Sequence, residues 1–215
     1  MTTESVIIGW AHSDFGKSTA VDIEGLIADV GYGALKHAGI SPENVDFATI
    51  GVLNSGFFKQ GFEGGLISAA MPELRHVPAV HCENACATGS AALYTAIDFI
   101  ESGRGDMVLV LGAEKMTAVS NAEIGDILLC GAYRREEDQV ENGFAGIFAQ
   151  ITQSYFQKYG DHSAEMAMIA AKNHANGMNN PYAHLKKDLG FEFCNRISDK
   201  NPFVAGPLRR TDCSL

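Results

Sequence analysis

The 215-residue chain has no apolar run approaching the ~18 residues of a membrane span, so none is expected. Its opening residues lack a basic stretch followed by a long apolar run, and no secretory signal is read there. The cysteines, at positions 82, 86, 130, 194 and 213, are odd in number and form no compact framework. Cys82 and Cys86 have no matching second pair, so no zinc or other metal site is expected; reduced thiols in a cytoplasmic protein fit this usage. Positive charge is scarce, with 16 Lys and Arg against 26 Asp and Glu, a net charge of −10. That balance excludes nucleic acid and anionic membrane as main partners. What is present, 46% hydrophobic residues and 20% charged ones, is enough for a globular core of one or two domains.

Along the chain, apolar runs alternate with helical patterns. Ser5–Trp10 reads as a buried strand, continuous in apolar residues. Asp22 is a good N-cap for a helix to about Ala38, with Gly39 as the stop. Gly31 and Gly33 interrupt that helix, which predicts close packing there. Further strands are expected over 45–53, 77–80 and 106–112, with a short helix over 66–71 and an Ala-rich one from about residue 86 to Ser102. The Gly- and Phe-rich stretch 54–65 has no Lys or Ser/Thr pair in phosphate-loop spacing and reads as a connection. Alternating strands and helices imply an α/β fold with parallel pairing and right-handed crossovers. After Met116 the rhythm becomes helical, with segments near 122–132, 144–159 and 163–176 and no convincing strand up to residue 205.

The stretch from His81 to Ala92 joins a strand to the Ala-rich helix and places Cys86 at that helix's first turn. The first four amide N–H groups of a helix lack internal partners, and the positive end of the macrodipole lies there. Both favour thiolate, the form that attacks. An arbitrary free Cys is more often a small buried hydrophobe; the strand–turn–helix setting places an equal reading beside it, a cysteine nucleophile for acyl transfer. Cys86, Ala87, Thr88 and Gly89 would supply the amide donors, and the small residues from Ala87 to Ala92 would let an acyl group approach. His81 and Cys82 are adjacent on a strand, so at most one of them faces that site.

The run Asn84-Ala85-Cys86-Ala87-Thr88-Gly89-Ser90-Ala91-Ala92, then Ile100-Glu101-Ser102-Gly103, then Val108 to Met116, resembles the thiolases, nearest the branch of sterol-carrier-protein thiolase. That family usually has Ser where Thr88 stands. The resemblance implies a thiolase-like α/β first half over 1–116 and an inserted helical loop domain on the coenzyme A side over 117–205. Residues 206–215 would return toward the first sheet. It also implies an acyl-CoA thioester as substrate, no permanently bound cofactor, and a homodimer or higher oligomer. Lys172 and His174 are the candidates for coenzyme A contact, in a region from 172 to 210 with seven basic residues against three acidic ones. The Gly-His-Pro and Cys-x-Gly motifs of the family's second half do not occur here. The expectation is therefore a poorly active portion, completed by a C-terminal half or another chain, because loss of general acid/base catalysis costs about 10²–10⁴-fold. Two other functions stay open at this point: a thiolase-like retro-aldol lyase subunit with an OB-fold partner, and a non-catalytic module that binds coenzyme A.

Overall fold

The structure, a computed structural model, describes residues 4–53 and 56–213. It divides into two units. One comprises the described residues up to Ser13 together with Lys17–Ser120; the other comprises Asp14–Gly16 and the chain from Asn121 onward.

The first unit is a parallel sheet between helices. In chain order it holds α1 (Ile23–Ala38), β1 (Phe47–Gly51), α2 (Glu63–Ala70), β2 (Ala79–Cys82), α3 (Thr88–Glu101) and β3 (Val108–Gly112). Strand order is β2-β1-β3, with Thr49 opposite Val80 on one side and Val110 on the other. The α1 boundaries follow their sequence signals. The Asp22 carboxylate accepts the Gly25 N–H at 2.9 Å, and Gly39 ends the helix at φ 69°. Gly31 is closely packed, since a Cβ there would stand 2.5 Å from Met71 Sδ. Ile27, Ile50, Ile67, Met71, Leu74 and Leu111 form the core between sheet and helices. Thr49 is fully buried and donates its hydroxyl to Ala92 O at 3.1 Å, tying β1 to α3.

Two expectations for this unit are corrected. Ser5–Trp10 is not a strand, and Val6 and Ile7 are 72% and 78% exposed. The segment lies along α1 instead, with Trp10 N–H donated to His37 Nδ1 at 3.2 Å. An apolar run needs a covering layer to be buried, and the described residues supply none over these side chains. The Ala-rich helix is buried on one face only: Ala92, Ala96 and Phe99 pack inward, while Leu93 and Tyr94 are exposed. Helix α2 begins at Glu63, within the stretch read as a connection; Asn54 and Ser55 of that stretch lie outside the described residues.

The second unit is mainly helical: α4 (Asn121–Leu128), α5 (Arg134–Glu137), α6 (Gly143–Tyr159), α7 (Ser163–Gly177) and α8 (Gly190–Asn195). A short antiparallel pair follows, β4 (Phe203–Ala205) with β5 (Leu208–Arg209), and then α9 (Arg210–Cys213). The strand β4 lies where none was expected; three residues give too little alternation to read. Asn201 organises this end. Its buried amide donates to the carbonyls of Phe193, Cys194 and Arg196 at 3.1–3.2 Å and accepts the Thr211 N–H at 3.0 Å. Helix α9 packs on α7, so residues 208–213 belong with the helical unit. Among the described residues no helix is long and apolar enough to cross a membrane.

Candidate active site

Strand β2 ends at Cys82, and three residues later the chain enters a 3₁₀ turn, Ala85–Ala87, that leads into α3. Cys86 sits in the middle of that turn, free and exposed. The turn is sharp because Ala85 adopts φ +45°. For a residue with a Cβ this left-handed conformation costs about 1–2 kcal/mol, and it persists only where neighbours hold it. The holders are visible. Glu83 Oε1 accepts the Ala85 N–H at 2.6 Å. Thr88 Oγ1 accepts the Asn84 N–H at 2.9 Å and donates to Ala85 O at 2.7 Å. A nucleophile on a strained strand-to-helix turn projects away from the backbone, where a substrate carbonyl can reach it.

The proposed donor set narrows. Ala87 N–H bonds Asn84 O at 2.9 Å and Thr88 N–H bonds Ala85 O, so the tight turn uses both amides internally. Neither is available to an oxyanion in this conformation. Cys86 and Gly89 remain as candidate donors, and both are exposed.

Cys82 and His81 point to opposite faces, as the strand alternation requires. Cys82 Sγ lies 3.6 Å from Thr95 Oγ1 on the α3 side. His81 turns toward α2, with Nδ1 3.3 Å from Glu63 Oε2 and Nε2 2.9 Å from Val52 O. A ring nitrogen facing a carbonyl must carry hydrogen, so Nε2 donates to Val52 O. Glu63 is buried, and its other oxygen has no hydrogen-bond partner among the described residues. Glu114, at the end of β3, accepts the Leu53 N–H. Burial pushes its carboxyl above the usual range, opposed by that hydrogen bond and reinforced by the Glu63 charge. Sequence reasoning quoted Glu114 only within a longer match and gave Glu63 no role. Nothing in a lone Glu beside two glycines marks it as buried.

The coenzyme A candidates are not brought together. Lys172 and His174 both lie on α7 of the second unit; Lys172 is exposed and His174 is buried. Two residues apart on a helix, they do not share a face. Arg209, counted in the basic excess, is also buried. It spends its guanidinium on Asp212 at 2.9 and 3.2 Å, on Asn195, and on Ser163 O, and is closed to an anion.

Comparison with known proteins identifies the family. The family model for the thiolase N-terminal domain matches residues 5–192. An acetyl-CoA acetyltransferase of Methanothermobacter thermautotrophicus is 31% identical over 209 residues, covering 97% of this chain and 53% of that protein. Sterol carrier protein 2 of Gallus gallus is 30% identical over 192 residues, covering 84% of this chain and 34% of its own length. A chain of the Ltp2-ChsH2(DUF35) aldolase shares the fold, with a TM-score of 0.65 over 95% of this chain and 50% of its own at 16% identity. The chain thus spans about half the length of the acetyltransferase it matches. On the family match and that identity together, the chain belongs to the thiolase family, through the family's N-terminal domain.

Proposed function

We propose that this chain carries the nucleophile of a thiolase-type acyl-CoA acyltransferase, which acts in thiolytic cleavage of a 3-ketoacyl-CoA or condensation of acetyl-CoA. The observation that carries the reading is the exposed Cys86 thiol on a strained turn at the head of α3. In the first step Cys86 Sγ attacks the thioester carbonyl of acyl-CoA. A new C–S bond forms to Cys86, the bond to the coenzyme A sulfur breaks, and coenzyme A leaves as the thiol, carrying the proton that Cys86 gave up. The helical unit over 117–205 is proposed as the coenzyme A side, with the exposed Lys172 as a possible phosphate contact in place of the Lys172–His174 pair. The relatives' greater length supports a requirement for a complementing C-terminal half. The exposed Val6, Ile7, Ile8 and Trp10 support association of the 215-residue chain with itself, as a homodimer or higher oligomer. A cytoplasmic setting is part of the same proposal and rests on the unpaired cysteines.

The test is direct. The 215-residue chain is incubated with acetyl-CoA and weighed intact. One acetyl group, about 42 Da, that disappears in Cys86→Ser supports the reading. Coenzyme A bound without an adduct would replace the acyltransferase with a non-catalytic coenzyme A module.

A further inference from the structure

We propose that Thr88 is a positioning residue for Cys86: its hydroxyl, not its methyl, holds the turn that presents the thiol. The inference rests on the acyl-cysteine reading above and assigns a role two residues downstream of the nucleophile. Thr88 is 8% exposed and sits at the first position of α3. One hydroxyl bridges the turn from both sides, receiving the Asn84 N–H at 2.9 Å and giving its proton to Ala85 O at 2.7 Å. These two residues carry the abnormal backbone, Asn84 at φ −158°, ψ 49° and Ala85 at φ +45°. Cys86 follows immediately, and its direction is set by the torsions of the residue before it. Left-handed Ala relaxes toward an ordinary conformation once released, and that rotation swings the thiol away from the head of the helix. The Thr88 methyl has a separate task, since it packs over Gly51 at the end of β1, where an added Cβ would meet it at 2.9 Å. Hydroxyl and methyl are thus separable by substitution. Ser keeps the bridge and loses the packing; Val keeps the shape and loses the bridge.

The readout is the reactivity of Cys86 itself. Iodoacetamide alkylation, in which the Cys86 thiolate displaces iodide, is followed by peptide mass against pH in the full 215-residue chain. The rate of acetylation by acetyl-CoA is measured in parallel, and folding by circular dichroism. Thr88→Val is expected to slow acetylation about tenfold or more, because small misplacements of reacting groups cost rate steeply. It is also expected to slow alkylation of Cys86 at a fixed pH, as the turn no longer presents the thiol. Thr88→Ser is expected to stay within about twofold of wild type in both, despite a lower unfolding midpoint. Reactivity that falls equally in both variants, or in Ser alone, would overturn the assignment by placing control in the methyl. Reactivity unchanged in Val would overturn it as well. If Thr88→Val does not fold, Thr88→Ser decides alone: wild-type reactivity with reduced stability supports the assignment, and reduced reactivity sinks it. A wild-type chain that alkylates at Cys86 but takes no acetyl group would end the acyltransferase reading, while the alkylation series still tests Thr88.

Discussion

The contact between Gly51 and Thr88 offers a quantitative test of how the site is packed. Gly51 lies at the end of β1, and a Cβ built there stands 2.9 Å from the Thr88 methyl carbon. Ordinary carbon contacts lie near 3.5–4.0 Å, so something must move. Thr88 cannot swing aside cheaply, because its hydroxyl is bound on both sides, at 2.9 and 2.7 Å, and its branched side chain is stiff about χ1. Gly51→Ala in wild type is therefore an overpacking substitution, of the kind that costs about 1–3 kcal/mol. The lower entropy of the unfolded chain offsets about 0.4–1 kcal/mol of that. In the Thr88→Ser background the obstructing methyl is gone. The next atoms are the Thr88 backbone O and C at 3.4 and 3.5 Å, which are normal contacts. There Gly51→Ala should be close to neutral, so the two substitutions should couple by about 1–2 kcal/mol. The measurement is urea unfolding of the four proteins of the cycle, read at the midpoint with a common slope. An equal cost for Gly51→Ala in both backgrounds would refute the packing argument and, with it, the separate tasks given to hydroxyl and methyl.

Two further outcomes follow from the structure. The Glu114 carboxyl is raised above 4.5, first by burial, so the folded protein holds that proton to higher pH than the unfolded chain does. Its contribution to stability is present at low pH and is lost as pH rises through the window above 4.5. The melting temperature of Glu114→Gln relative to wild type should therefore climb between about pH 4.5 and 7.5; a difference that is flat or falls across that range contradicts the burial. In the second unit, Asn201→Ala would strip the Arg196 carbonyl and the Thr211 N–H of their partner, while the Phe193 carbonyl keeps the Arg196 N–H and the Cys194 carbonyl keeps the Thr211 hydroxyl. Each buried group left unpaired costs about 1–3 kcal/mol. Limited proteolysis should then cut within 193–213 well before it cuts α3; wild-type resistance there would argue against Asn201 as the organiser of that end.

Much of this protein was legible from local chemistry. The cap at Asp22, the stop at Gly39, the two-residue alternation that separates His81 from Cys82, and the strand–turn–helix around Cys86 are each fixed by neighbours a few residues away. The parallel sheet follows from the alternation of strands and helices, and the order of residues from Asn84 to Met116 carries the family. Other features depend on what lies opposite in space, which no local pattern encodes. Ser5–Trp10 has the composition of a buried strand, yet it lies along α1, and burial requires a covering layer that the described residues do not place over Val6 and Ile7. Glu63 is buried because α2 carries it onto β2 and His81, and Arg209 is closed to ligands because α9 brings Asp212 to it. Ala85 is left-handed because Thr88 and Glu83 bind the turn from either side. Sequence alone thus determined most of the elements, their parallel order and the sulfur proposed as nucleophile. Tertiary structure alone decided which faces are covered, which amides are already spent, and how the turn beneath that sulfur is held, because each of these is a contact between residues brought together only by folding.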